Sequence, residues 1–150
     1  MTPYIRQFVV NTDYELFMQI RAVVEKLPDI DLDYNEDGEK IILSCHMLAR
    51  ALGRVFGLRW VDGLYAGVGN HAWLVFPHKM YILDCYPVHT LGGPLLINAK
   101  EWLSPGQMLY KRKRRVLKSI RARRPSFRRS VRLIERAIRA IQCGVPPRAS

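Results

Sequence analysis

The chain is poor in cysteine, has no long apolar run, and carries almost no acid in its C-terminal quarter. Its three cysteines, Cys45, Cys85 and Cys143, are an odd number without paired spacing, which argues against a disulfide framework. No C-x-x-C pair or Cys/His cluster offers a zinc site, so neither a metal nor a cofactor is expected. No apolar run approaches the ~20 residues a membrane span needs. The start, MTPYIRQFVVNTDYELF, lacks a basic segment followed by a long apolar core, so no secretory signal is expected. The expected location is cytoplasmic and reducing, where thiols stay free. From Lys111 to Ser150 a single acid, Glu135, faces fifteen Lys or Arg, whereas residues 1–40 hold nine acids and four bases. That asymmetry, within a net charge of +11, points to an acidic partner for the C-terminal arm: nucleic acid, an anionic membrane surface or an acidic protein. Part of the charge can also neutralise the acidic N-terminal third of the same chain.

At 150 residues the chain can bury a core without disulfides or metal. Tyr4–Val10 reads as a strand or lead-in. Thr12 or Asp13 would cap a helix from Tyr14 to about Leu27, with Leu16, Ile20, Val23, Val24 and Leu27 at helical spacing. Pro28 ends it, and PDIDLDYNEDGE follows as a solvated acidic loop whose glycine and glutamate do not fit an EF-hand. A second helix lies within Glu39–Phe56. Leu48, Ala51, Leu52 and Val55 form its apolar stripe, Cys45 lies one step N-terminal on that face, and Gly57 is placed to stop it. LRWVDGLYAG reads as strand-like, with Trp60 and Val61 before a break at Gly63. Asn70–Phe76 and Met80–Tyr86 flank Pro77-His78-Lys79 as a hairpin, and VHTLGGPLLI holds a glycine-rich loop and one further strand. From Lys111 the pattern is basic and helical, interrupted at Pro125, with Phe127, Val131, Ile134, Ile138 and Ile141 on one face. That face is expected to dock on the rest of the chain.

Cys45, His71 and Asp84 are, in order, a nucleophile, a base and a group to orient the base. A thiol needs ionising, and a helix N-terminus and an imidazolium both favour the anion. Cys45 gains the first if its helix starts at Ser44 and loses it if the helix runs unbroken from Glu39. Hairpin register decides whether His71 meets Asp84. A four-residue loop sets them opposite and a two-residue loop sets them diagonal on one face, while a three-residue loop sends Asp84 to the other face. Trp73 alternates with His71 and Val75 and is expected to pack beside the site. Cys85, Cys143, His46, His78 and His89 have no partner that the sequence names, and they read as structural.

Residues 42–90 resemble the core of the transglutaminase-like superfamily of papain-like thiol enzymes. The resemblance rests on Cys45 opening a helix with Leu48–Leu52; on Gly57; on the R-x-V-x-G strand of Arg59, Val61 and Gly63; on His71-Ala72-Trp73; and on Asp84 followed by Pro87. The family often has Asp directly before Pro, whereas Cys85 and Tyr86 intervene here. The resemblance implies an α+β fold. Its papain-like, transglutaminase-like core would have N-terminal helices, the Cys45 helix packed on a small antiparallel sheet, and a basic helical extension. Residues 1–110 would be the catalytic domain and 111–150 the extension. It implies a Cys45–His71–Asp84 triad that hydrolyses a peptide or amide through a thioester, with the Cys45 N–H as first oxyanion donor. The sequence names no second donor.

A compact peptidase or amidase fits this length better than a large cross-linking transglutaminase, although a small acyltransferase would share the chemistry. Leader-peptide proteases of peptide-maturation pathways are one subclass of comparable size. A different class is a non-catalytic binding protein that presents its basic arm to an acidic partner. The residues of that arm are Arg112, Arg114, Arg115, Arg121, Arg123, Arg124, Arg128 and Arg129. Its aromatics, Tyr110 and Phe127, flank the charge without interleaving, so base stacking is not indicated.

Overall fold

The computed structural model describes residues 11–27, 44–65, 69–77, 81–85, 94–98, 110–113 and 124–145. Outside them lie Tyr4–Val10, the acidic loop, the glycine-rich stretch after Pro87, His78, His89, Arg114, Arg115, Arg121 and Arg123. Within the described residues the fold is α+β, with three helices and one antiparallel sheet. No helix among them is long and apolar enough to cross a membrane.

Helix α1 spans Asn11–Val24. It buries Phe17, Ile20, Val23 and Val24 on one face, as the i, i+3, i+4, i+7 spacing requires. It is already helical at Asn11, so Thr12 and Asp13 lie within the helix and not before it. The bonds from Lys26 N to Val23 O and from Leu27 N to Val24 O, both 3.1 Å, tighten its end. Pro28 follows, and a residue before proline disfavours helix.

Helix α2 spans Cys45–Phe56. Ser44 is extended and its side chain accepts from Met47 N at 3.2 Å, which is N-cap geometry. Of the two possible starts the capped one is observed, and it sets Cys45 at the first helical position. Gly57, at φ 68, closes the helix in the left-handed region that other residues rarely adopt. Leu48, Ala49, Ala51 and Leu52 are fully buried.

The strands are β1 Arg59–Tyr65, β2 Gly69–Val75, β3 Tyr81–Asp84, β4 Leu95–Asn98 and β5 Tyr110–Arg112, in the order β4-β3-β2-β1-β5. Side chains alternate across them. Ala72, Leu74, Tyr81 and Leu83 join the main core with the three helices, while Val61, Trp73 and Ile82 form a second cluster with Val75 and Tyr110.

Two expectations change. Strand β1 runs unbroken through Gly63, because pairing on both sides holds it extended. Lys111 and Arg112 are strand residues, paired with Leu64 and Gly63 of β1, because the open edge of β1 offers backbone partners that the local helical pattern does not weigh. A boundary between residues 110 and 111 therefore runs through β5. Pro125 opens helix α3, Pro125–Gln142, after an extended Arg124; residues 114–123 lie outside the described residues. Proline suits the first helical position, where its missing N–H has no intrahelical partner. The face of α3 made by Phe127, Val131, Ile134 and Ile138 is buried in the main core. Glu135, the one acid of the arm, binds Arg54 of α2 at 2.7 Å.

Candidate active site

Cys45 sits at the capped start of α2, where the first N–H groups of a helix have no intrahelical acceptor and favour an anion. His71 lies on β2 and Asp84 ends β3. Leu74 pairs with Leu83 and Val75 with Ile82. Two steps along, this register sets Asp84 diagonal to His71 on one face, the arrangement of the two-residue-loop case. His71 Nε2 and Asp84 Oδ2 are 2.8 Å apart. The Tyr110 hydroxyl of β5 donates to the same Oδ2, also at 2.8 Å. Trp73 is buried beside them, its ring 6.3 Å from His71 and edge-on to Tyr110 at 5.3 Å. Tyr65 meets the His71 ring edge-on at 5.8 Å. The structure thus brings together Cys45, His71, Asp84 and Trp73, and adds Tyr110.

Cys45 and His71 are each 9% exposed. Burial pushes the Cys45 thiol up, but hydrogen bonds and charge from His46 and His71 outweigh it and lower its pKa to about 6. Burial also opposes charge on His71, yet the hydrogen bonds and charges of Asp84 and Cys45 raise its pKa to about 9. Burial and then the Asp84 charge push Tyr110 far above the tyrosine range, so it acts as a neutral donor. Cys85 is fully buried and pushed far up by burial and by Asp84, which leaves it an inert thiol.

His46 is not the isolated residue that its sequence context implies. Its Nδ1 lies 2.8 Å from Asp62 Oδ1, and Asp62 is held by Arg50 through two bonds, Nη1 to Oδ1 at 2.9 Å and Nη2 to Oδ2 at 2.7 Å. Arg50 Nη1 also donates to the His46 carbonyl at 3.0 Å. Its guanidinium lies 5.9 Å from the Trp60 ring and 5.3 Å from that of Phe127, so one buried cation joins α2, β1 and α3. Burial opposes ionisation of Asp62, but His46 and Arg50 hold its carboxyl below the usual range. One signal for this cluster was present in the sequence. His46 and Arg50 stand one turn apart on α2, and Asp62 is an acid flanked by strand residues that needs a partner if it points inward.

Among the described residues no group of three or more His, Cys, Asp or Glu could hold a metal ion. Of the expected basic residues, Arg112, Arg124, Arg128 and Arg129 are described and all are exposed. Arg132, Arg136 and Arg139 extend the exposed face of α3. Comparison of the chain with family models, curated proteins and solved structures finds no match.

Proposed function

We propose that the protein is a cysteine-dependent acyl hydrolase, a peptidase or amidase, built on a core of the transglutaminase-like, papain-like type. The observation that carries this reading is the placing of Cys45 at the capped start of α2 beside His71, which Asp84 holds at 2.8 Å; that setting lowers the thiol pKa to about 6 and raises the imidazole pKa to about 9. Between those values the pair rests as thiolate and imidazolium, the reactive form of a thiol nucleophile. Cys45 Sγ attacks the carbonyl carbon, an S–C bond forms, and the carbonyl electron pair moves to oxygen. The Cys45 N–H, which at the first helical position has no intrahelical acceptor, would receive that oxyanion. Collapse breaks the C–N bond, and His71 gives its proton to the departing amine. Water then attacks the thioester, His71 takes its proton, and the C–S bond breaks to restore the thiolate. His71 Nε2 is held by Asp84, which leaves Nδ1 to face the thiol and fixes the tautomer. An amine in place of water would make the protein an acyltransferase by the same steps.

The test is alkylation of Cys45 by iodoacetamide across pH, with Cys85→Ser and Cys143→Ser built in so that one thiol reports. Reaction persisting down to about pH 6, well below the ~8.5 of a free thiol, is expected. An ordinary pH profile for Cys45 would sink the enzyme reading. A second reading rests on the exposed arginines of α3, which favour an acidic partner, whether nucleic acid, anionic membrane or protein. Under it, Cys45→Ala leaves function intact while replacing Arg128, Arg129 and Arg132 together abolishes salt-dependent binding.

A further inference from the structure

We propose that His46 is a second catalytic imidazole of this centre, one that holds the Cys45 thiolate by a hydrogen bond from Nε2 while His71 moves the protons. The inference rests on the reading of Cys45 as the nucleophile. His46 is 6% exposed. Its Nδ1 is engaged by Asp62 at 2.8 Å, and its Nε2 is buried without a partner that meets hydrogen-bond geometry. A buried imidazole nitrogen left so is unfavourable unless a neighbouring group compensates it. The neighbour on offer is Cys45, the residue before it on α2. Burial opposes charge on His46, but the hydrogen bonding and charge of Asp62 and Cys45 outweigh it and raise the His46 pKa.

The charge balance points the same way. The groups that face His46 are Cys45 and Arg50 from α2 and Asp62 from β1, with His71 of β2 across the thiol. From α3 the neighbour of Arg50 is the uncharged Phe127. With the thiol ionised and both imidazoles protonated, His46, His71 and Arg50 oppose Cys45, Asp62 and Asp84, so the cations and anions cancel. With His46 neutral one anion would be left over in a buried site, which is strongly disfavoured. The two imidazoles differ in surroundings. Asp62 is shared between His46 and the Arg50 fork, whereas Asp84 bonds His71 and the neutral Tyr110 hydroxyl. Because His46 Nε2 is buried, it faces the sulfur without touching the water or leaving amine that gains or loses a proton in the reaction. That division assigns anion stabilisation to His46 and proton transfer to His71.

The experiment follows the Cys45 titration by iodoacetamide rate and thiolate absorbance in the Cys85→Ser, Cys143→Ser protein. It is repeated with His46→Gln, with His71→Gln, and with both. Each single variant is expected to raise the thiol pKa while leaving it below the free-thiol value, and each unit of rise lowers the thiolate fraction about tenfold on the acid side. The double variant is expected to titrate at or above an ordinary thiol, because the burial that pushes Cys45 up is then unopposed. His46→Gln that keeps its far-ultraviolet circular dichroism and titrates like the parent would overturn the proposal while leaving the enzyme reading standing. A parent protein whose Cys45 already titrates as a free thiol removes both. A measurement that needs no substitution at His46 guards against misfolding. Capping Cys45 with methyl methanethiolsulfonate should lower the pKa of both His46 and His71, read from their ring 15N shifts. A response of His71 alone refutes the second imidazole.

Discussion

Asp84 Oδ2 accepts from His71 Nε2 and from the Tyr110 hydroxyl. The two donors fix the carboxylate and, through it, the imidazole plane. Tyr110→Phe removes a hydrogen bond to a charged group and should cost about 1.5–3 kcal/mol of stability. With one donor fewer, Asp84 holds the imidazolium more tightly, so the basic limb of any pH–rate profile should move upward. A limb that stays in place would show that Tyr110 packs against Asp84 without tuning it. For the parent protein, kcat/KM should rise through about pH 6 as Cys45 ionises and fall through about pH 9 as His71 loses its proton, the two limbs belonging to the coupled pair. These roles are partly legible in the sequence. Cys45, His71 and Asp84 are the residue types that thiol acyl transfer needs, and they fall where a helix begins and where two strands run. Tyr110 carries no such local mark, and His46 only its spacing from Arg50, because their partners, Asp84 and Asp62, stand 26 and 16 residues away.

At the scale of elements, Gly63 explains how the sheet and the site meet. It pairs with His71 on one side and with Arg112 on the other. A Cβ there would overlap the Lys111 carbonyl and come within 2.5 Å of the Trp73 ring. Gly63→Ala should therefore push β5 off β1, at about 1–3 kcal/mol of overpacking, and carry the Tyr110 hydroxyl away from Asp84. Hydrogen exchange at Leu64 and Lys111 would reveal it, and unchanged protection there would contradict this account. Helix α3 belongs to the core through Phe127, Val131, Ile134 and Ile138, each contributing about 1.5–3 kcal/mol of burial. A chain ending before Pro125 loses an amount comparable to a whole domain's stability of about 5–15 kcal/mol. It should show no cooperative urea transition, and a sharp one would make α3 an appendage. The apolar periodicity of this helix was plain in the sequence. Its start was not, since a proline reads equally as a break or as a first residue until the extended backbone of Arg124 is seen.

Across the whole molecule, the site couples stability to pH through groups of opposite sign. His71 has its pKa above the unfolded value, so its contribution is complete below the unfolded histidine pKa and is lost as pH rises through about 9. His46, also raised, acts in the same direction. Cys45 has its pKa below the unfolded value, so its contribution is complete above the unfolded thiol pKa and is lost as pH falls through about 6. In the window between, the thiol offsets the imidazoles. Cys45→Ser removes that offset, so its unfolding free energy should decline with rising pH more steeply than the parent's just above the unfolded histidine pKa. Urea titrations at several pH values give the two slopes, and equal slopes would mean that no ion pair exists in the folded state. The sequence by itself determined the amphipathic faces of α1, α2 and α3, the strands that bear His71 and Asp84, and the residue types of the centre, because periodicity, caps and glycine stops are local. Tertiary structure alone decided the diagonal register of His71 and Asp84, the closing of β5 on β1, and the Arg50–Asp62–His46 cluster behind the thiol. Each of these depends on backbone pairing or charge neutralisation between segments far apart in the chain, and no local pattern encodes which distant partner is met.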